Sequence, residues 1–480
     1  MNYSIIGYIL GWVLVFESMF MILPCTVAGI YREKQGIAFL VIAVICLILG
    51  MLRIRKKPKN QVYFAREGFV IVALSWIVMS IFGALPFVLN GDIPDFTDAL
   101  FETISGFTTT GASVLSDVEA LSRCSLFWRS FTHWIGGMGV FVFLLAVLPM
   151  TGGYNMHLMR AESPGPSVGK LVPKVRDTAK ILYIIYFVMT VIEIVLLLLA
   201  GMPLFDAMTT SFGTAGTGGF GIKNSSMQDY TVLMQGIVTV FMILFGVNFN
   251  AYYILLLGKN KKDAFKMEEV HWYFGIIAVS ILIITMNIRN ISGSVFQAFH
   301  SAAFQVASII TTTGYSTANF DLWPQLSRTI LVVIMFIGAC AGSTGGGIKV
   351  SRIIILLKTM KQEMGYFIHP RSVKVIKMDG KALEQRTVRS VSAFLVTYVI
   401  IFGVSIFLLA FDNLDMVTNF TAVAATFNNI GPGLEIVGPT GNYGIFSYMA
   451  KYVLMFDMLA GRLELYPLLL LFTPSVWRKS

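Results

Sequence analysis

Four short amphipathic stretches of this chain each run into a glycine. FETISGFTTTGAS reaches Gly111, TTSFGTAGTGGFG reaches Gly219, FQVASIITTTGYS reaches Gly314 and TAVAATFNNIGPG reaches Gly431. The glycines are 108, 95 and 117 residues apart, one for each pair of apolar segments. Any fold the chain adopts must accommodate that repeat. Four quasi-equivalent loops in a single chain can surround one axis, which is the geometry that an ion filter of backbone carbonyls requires.

Between the loops the chain is written for a bilayer. Of its 480 residues 56% are hydrophobic and 13% charged, about half the charged fraction of a soluble domain. Apolar segments fall near 3–29, 37–52, 68–90, 127–149, 181–203, 231–257, 271–288, 329–357, 390–411 and 445–473, ten in all. Several exceed the roughly 18–20 residues that cross a bilayer. The expected fold is therefore an all-α polytopic membrane protein with ten spans. Its units are an N-terminal transmembrane hairpin (1–65) and four pore units at 66–160, 161–265, 266–370 and 371–480. The N-terminus MNYSIIGYIL lacks a basic leader and reads as the start of a retained span. About ten residues before each glycine have helical patterning. At 1.5 Å per residue they cover about 15 Å, so such a segment enters the membrane and returns. Non-helical backbone at that depth is tolerated only where it lines a wet cavity or is buried in protein.

Basic residues set the orientation. Arg53, Arg55, Lys56, Lys57, Lys59 and Arg66 follow the second span, and Arg160, Lys170, Lys174, Arg176 and Lys180 the fourth. Lys259, Lys261, Lys262 and Lys266 follow the sixth, and ten more lie between Lys349 and Arg389. The four loops alternate with these segments, which places the loops outside and both termini in the cytoplasm. The net charge of +10 is thus explained by topology, and nucleic acid is not an expected partner. The outer segments carry Asp92, Asp95, Asp98, Glu102, Asp117, Glu119, Asp206, Asp229, Asp321, Asp412, Asp415 and Glu435. These either form a negative vestibule that concentrates cations or simply solvate the loops. Cys25, Cys46, Cys124 and Cys340 are scattered, without disulfide or metal spacing.

The candidate filter consists of Thr109, Thr110 and Gly111; Gly218 and Gly219; Thr312, Thr313 and Gly314; and Asn429, Ile430 and Gly431. A dehydrated cation needs several oxygens at once, and consecutive carbonyls turned to one axis supply them. Glycine adopts the backbone conformations this demands, and a neighbouring threonine adds a hydroxyl oxygen. The expected ion contacts are at Thr110, Gly111, Gly218, Gly219, Thr313, Gly314, Ile430 and Gly431. Copies one and three read TTTG, copy two TGG and copy four NIG. Tight helix packing by small residues is the competing explanation, most open for copy four.

The eighth apolar segment is interrupted by Gly342, Ser343, Thr344, Gly345, Gly346 and Gly347. Each interior glycine costs a helix about 1 kcal/mol relative to alanine, so the run argues for a break at membrane depth. Gly338, Gly342 and Gly346 also stand at small-xxx-small packing distance, although packing needs neither Gly345 nor Gly347. Glycines recur at similar depth in the other second helices, at Gly136, Gly137, Gly139, Gly246 and Gly461. Arg462 lies between Asp457 and Glu464 and either pairs with one of them or stands as a fixed cation below the filter. Glu17 and Glu193 read as polar packing groups, and His133, between Trp128 and Trp134, as an interfacial residue.

The four loops, GACAGSTGGGIKVSR (338–352) and GRLELYP (461–467) resemble the Trk/Ktr/HKT potassium-transporter superfamily, and in particular its bacterial TrkH-type subunits. The likeness covers the whole chain. It implies four M1–pore loop–M2 units around one axis plus two extra N-terminal helices, with K⁺ as the transported ion and no covalently bound cofactor. Glycine at all four first filter positions, where a serine accompanies Na⁺ transport in plant relatives, favours K⁺. Copy four departs from the pattern with Asn428, Asn429 and Ile430. The resemblance further implies that residues 342–347 form a gate beneath the filter, held by Arg462. It also implies a homodimer and a cytosolic TrkA-type RCK ring that alone carries ATP or NAD. Proton- or sodium-coupled secondary transport is the alternative, but it calls for inverted repeats and these run parallel. No HExxH, GxSxG or Walker motif points to an enzyme.

Overall fold

The computed structural model describes residues 1–56, 58, 64–139, 175–258, 260–371 and 375–477. The inner half of the fourth apolar segment lies outside them, as do Lys57, Lys59, Arg160, Lys170, Lys174, Lys259 and Lys374. The described residues are mostly helical; their strands are the two-residue pair Lys377–Met378 and Lys381–Ala382.

Six helices are long and apolar enough to cross a membrane, or seven if one bent pair counts as a span. They are the hairpin Tyr3–Tyr31 and Gly36–Ile54, followed by Ala65–Asn90, Val175–Leu199, Glu268–Ile288 and Gln385–Leu409, each of which precedes one glycine loop. The second helices of the four units behave differently. Arg123–Met138 stops at Gly139, where φ is 80°. Val232–Phe245 meets Phe249–Leu257 at 89°. Gln325–Ile337 and Val350–Ile368 are separated by the glycine run, and Tyr448–Arg462 is cut from Tyr466–Leu471 by left-handed Glu464 and Leu465. The sequence leads one to expect a break only in the eighth of ten spans; the interruptions in the second and fourth units emerge only in the structure, because apolar content along the chain does not register a backbone break. The breaks are tolerated because they are enclosed by protein.

Between the two helices of each unit sits a short helix: Phe96–Phe107, Leu204–Gly216, Val295–Ile310 and Met416–Phe427. Three of these are started by side-chain caps. Asp95 accepts from the Asp98 N–H, Ser294 from the Gln297 N–H and Asp415 from the Thr418 N–H. Hydrogen bonds from the Thr418 hydroxyl and N–H hold the Asp415 carboxyl below its usual value. The C-terminal halves are buried on every side, as in Glu102–Phe107 and Phe304–Ile310.

Small residues allow this enclosure. A Cβ on Gly136 would collide with the Phe107 carbonyl, and one on Gly461 with the Phe427 carbonyl, so in units one and four the second helix rides on the last turn of the short helix. We expect Gly136→Ala and Gly461→Ala each to cost about 1–3 kcal/mol of overpacking. Thermal unfolding in detergent should show lowered midpoints for both, and none for Gly29→Ala, whose Cβ would meet nothing within 4 Å.

Candidate functional site: the ring of glycine loops

The four short helices end in one and the same way. Thr109, Thr217, Thr312 and Asn429 have φ of 56°, 55°, 62° and 56°. Each of these residues donates its N–H to the carbonyl three residues back, and the next residue donates to the carbonyl five residues back. The pairs are Thr109 to Gly106 and Thr110 to Ser105, Thr217 to Thr214 and Gly218 to Gly213, Thr312 to Ile309 and Thr313 to Ser308, Asn429 to Thr426 and Ile430 to Ala425. This is the Schellman cap, whose left-handed position is usually glycine. A β-branched residue there costs of order 1–2 kcal/mol. The side chains show why threonine is retained: Thr312 Oγ1 accepts the Gly346 N–H at 2.6 Å, while Thr109 Oγ1 and Asn429 Oδ1 are buried acceptors with no protein donor.

Beyond the caps the chains converge. A Cβ on Gly111 would strike the Gly218 carbonyl, one on Gly219 the Thr313 carbonyl, one on Gly314 the Gly431 nitrogen and one on Gly431 the Gly111 carbonyl. The order closes on itself, and all four glycines line one outward cavity of about 110 Å³. Gly111, Gly219 and Gly314 have φ of 79°, 75° and 87°. Gly431 does not share that conformation, and its lack of a side chain serves the close approach to Gly111 instead.

The surrounding side chains differ from copy to copy. In copies one and three, Thr108 and Thr311 hold the hydroxyls of Thr110 and Thr313 at 2.8 Å. In copy four, Asn429 Nδ2 donates to Thr110 Oγ1 at 3.1 Å and to the Met458 carbonyl at 2.9 Å, joining the fourth copy to the first. Tyr443 donates to the Gly431 carbonyl at 2.9 Å. In copy two the His133 ring stands where a side chain on Gly218 would go. Its Nε2 accepts the Phe220 N–H at 3.2 Å, so the proton is on Nδ1, which donates to the Gly106 carbonyl at 2.8 Å. His133 is therefore buried behind the ring and not at the interface expected from its tryptophan neighbours. Glu102 likewise is not a vestibule residue. It is buried, paired with Arg129 at 2.5 Å, and accepts from Ser113 Oγ at 2.9 Å and from the Val114 N–H at 3.2 Å, which ties down the chain that leaves Gly111.

The glycine run folds back directly beneath the ring. Gly338, Gly342 and Gly347 have positive φ, and Gly338 and Gly347 face each other at the loop's neck. A Cβ on Gly345 would fall 2.8 Å from the Thr311 carbonyl, and one on Gly346 would strike the Asn428 carbonyl. Arg462 donates to the Thr344 carbonyl at 2.8 Å and to the Gly136 and Gly137 carbonyls at 2.5 and 2.8 Å. Of the acids flanking it in sequence, Glu464 pairs with Arg352 and Asp457 accepts from Ser405. Ser343 binds the Cys340 carbonyl, and Lys349 reaches the Gly345 carbonyl within the same loop.

Residues 34–479 match the TrkH family, described as a cation transport protein. The chain belongs to the TrkH family. The Trk system potassium uptake protein TrkH of Salmonella typhimurium is 38% identical to it over 487 residues, with all of both chains covered. TrkI of Halomonas elongata is 30% identical, covering 96% of this chain and 94% of its own. The crystal structure of the potassium transporter TrkH from Vibrio parahaemolyticus matches with a TM-score of 0.88 at 35% identity, covering all of both chains. The relatives are transporters, and this polytopic TrkH-family membrane protein is not an enzyme.

Sequence reasoning found the glycines of the ring but placed His133 at the interface and left Asn428 and Thr311 out of the candidate filter, although all three shape the ring from behind. The clue was the TGG of copy two: a glycine at 218 where the other copies carry a side chain means that something else fills the space. Gly218→Thr should therefore lower the yield of folded protein sharply, while adding His133→Ala should recover part of it. Size-exclusion yield of the single and double variants checks this; equal losses in both would remove His133 as the obstacle.

Proposed function

We propose that this chain carries K⁺ inward across the bacterial inner membrane through a filter made by its four glycine loops. In this reading ten spans leave both termini in the cytoplasm, and four parallel M1–pore loop–M2 units surround one axis. The observation that carries it is the closed ring of four identically capped helix ends. Each helix C-terminus bears roughly half a negative charge. Four converging ends stabilise a cation in the ring and its carbonyls replace the hydration shell. The unpartnered oxygens of Thr109 and Asn429 add acceptors one level below. One charge gains about 2.3 kcal/mol per 100 mV of membrane potential, so inward flow needs no chemical step in this chain. The relatives' names, potassium uptake protein and potassium transporter, agree with K⁺ as the cargo.

Residues 342–347 act as the gate, with Arg462 fixing the loop under the ring and repelling K⁺ while it is closed. Any ATP or NAD is bound by a cytosolic TrkA-type RCK ring docked on the basic inner segments of a homodimer. Proton coupling is the second reading. It is favoured by Glu193, fully buried in the first helix of unit two beside Thr214 and without a charged partner among the described residues. K⁺ uptake by liposomes without a pH or Na⁺ gradient supports the first reading, and strict dependence on a proton gradient the second.

Gly111→Ser would put a side chain against the Gly218 carbonyl. We expect a lower K⁺/Na⁺ permeability ratio, and an unchanged ratio would remove Gly111 from the filter. Arg462→Ala and deletion of 342–346 should both raise flux per folded molecule. Flux that stays level or falls in both variants would return the glycine run to a packing role.

A further inference from the structure

One carboxylate outside the ring holds both ends of the glycine loop. Glu269 is the second residue of helix Glu268–Ile288 and is buried. Its Oε1 accepts the Ala341 N–H at 2.6 Å and the Ser351 N–H at 3.1 Å. Ala341 enters the loop, and Ser351 opens the helix that leaves it, so a single oxygen bridges entry and exit. The Ser351 amide belongs to the first turn of Val350–Ile368, where a negative charge is favoured by the helix dipole. Oε2 accepts from Asn248 Nδ2 at 3.3 Å, at the bend of the second unit's broken helix. That bend is joined to the same loop by the Phe249 N–H on the Gly342 carbonyl at 3.0 Å and the Cys340 N–H on the Gly246 carbonyl at 3.1 Å.

The residue before Glu269 contacts an exposed hairpin. The Glu268 carboxylate accepts from Lys358 Nζ at 2.6 Å, and its N–H donates to Asp379 Oδ1 at 2.7 Å. Lys358 Nζ also reaches the Lys377 carbonyl at 2.7 Å. Asp379 and Gly380 are both left-handed and make the tight turn of the Lys377–Ala382 hairpin. One turn of helix therefore contacts an exposed hairpin through Glu268 and the loop through Glu269.

We propose that Glu269 is the clasp that holds the glycine loop closed, and that the Lys377–Ala382 hairpin is the handle through which a cytoplasmic force releases it. The inference rests on the reading of residues 342–347 as a gate. Glu269 acts through the loop and touches no ion, so it is a positioning residue. Its loss leaves two buried loop amides without their acceptor, which favours any conformation in which water reaches them.

Cys340 lies buried in the loop and reports its opening. In the full-length chain carrying Cys25→Ala, Cys46→Ala and Cys124→Ala, K⁺ uptake by liposomes and the reaction of Cys340 with a water-soluble methanethiosulfonate are measured per folded molecule. Glu269→Gln keeps the size of the side chain and removes its charge. It should raise both rates about tenfold, the effect of one charge-assisted hydrogen bond on an opening equilibrium, and leave the K⁺/Na⁺ ratio unchanged. Asp379→Ala, at the exposed hairpin, should raise both rates alone and add nothing to Glu269→Gln; it also carries the test should the buried variant fail to fold. Unchanged Cys340 reactivity in Glu269→Gln, with faster reaction in Arg462→Ala, overturns the clasp and leaves the gate standing. Faster reaction in both without more flux overturns the gate reading and the clasp with it. Full additivity of Asp379→Ala and Glu269→Gln overturns the handle.

Discussion

Four left-handed helix caps organise this molecule. Each ends a short helix with its C-terminus inside the protein, and each turns the next two carbonyls out of the helical direction. Four such turns, offset around a closed ring, gather negative dipole ends and carbonyl oxygens about one point. The fold is arranged to keep that cluster together. The first helix of each unit packs on its short helix, in units one and four the second lies against the last turn, and the loop segments are tied down by Glu102 with Arg129, by Tyr443, and by Arg328 with Glu435. Like partial charges brought close together repel, and the surrounding packing holds them in place.

The broken second helices follow from the same demand. A continuous helix under the ring would satisfy its own backbone and offer nothing to neighbours. The helix end at Gly139 and the breaks at Gly246, Gly338 and Glu464 free peptide groups for use within and between units. The Gly136, Gly137 and Thr344 carbonyls receive Arg462, the Gly342 carbonyl receives the Phe249 N–H, and the Ala341 and Ser351 amides go to Glu269. Arg462 of unit four and the Phe249 N–H of unit two answer groups released in other units, while Glu269 answers two within its own. This makes the layer beneath the ring a network in which no unit is independent, and it explains why buried charges here are paired with backbone as much as with each other.

The four copies are related without being equal. Copy two accepts a histidine behind it at the expense of a side chain at 218, and copy four replaces a hydroxyl ladder with an asparagine that reaches across to copy one. The glycine run lies against the Thr311 and Asn428 carbonyls, below copies three and four. The asymmetry of the ring and the asymmetric placement of the loop go together, since the loop needs partners such as Thr312 Oγ1 on one side only.

The sequence alone determined that this chain is helical and membrane-embedded, that it holds four glycine loops each between apolar segments, and that the eighth segment breaks. Those facts are local: an apolar run, a repeat interval and a glycine cluster each act within a few residues. Tertiary structure alone decided how many helices run unbroken, which residue fills the gap left by Gly218, and where Glu102 and Glu269 send their charge. A carboxylate reads the same in a sequence whether it meets solvent, an arginine or two buried amides, because its partners lie 27 to 82 residues away. The left-handed threonines were invisible for a related reason. Local preference places glycine there, and the partner that Thr312 Oγ1 finds in the Gly346 N–H exists only in the folded ring.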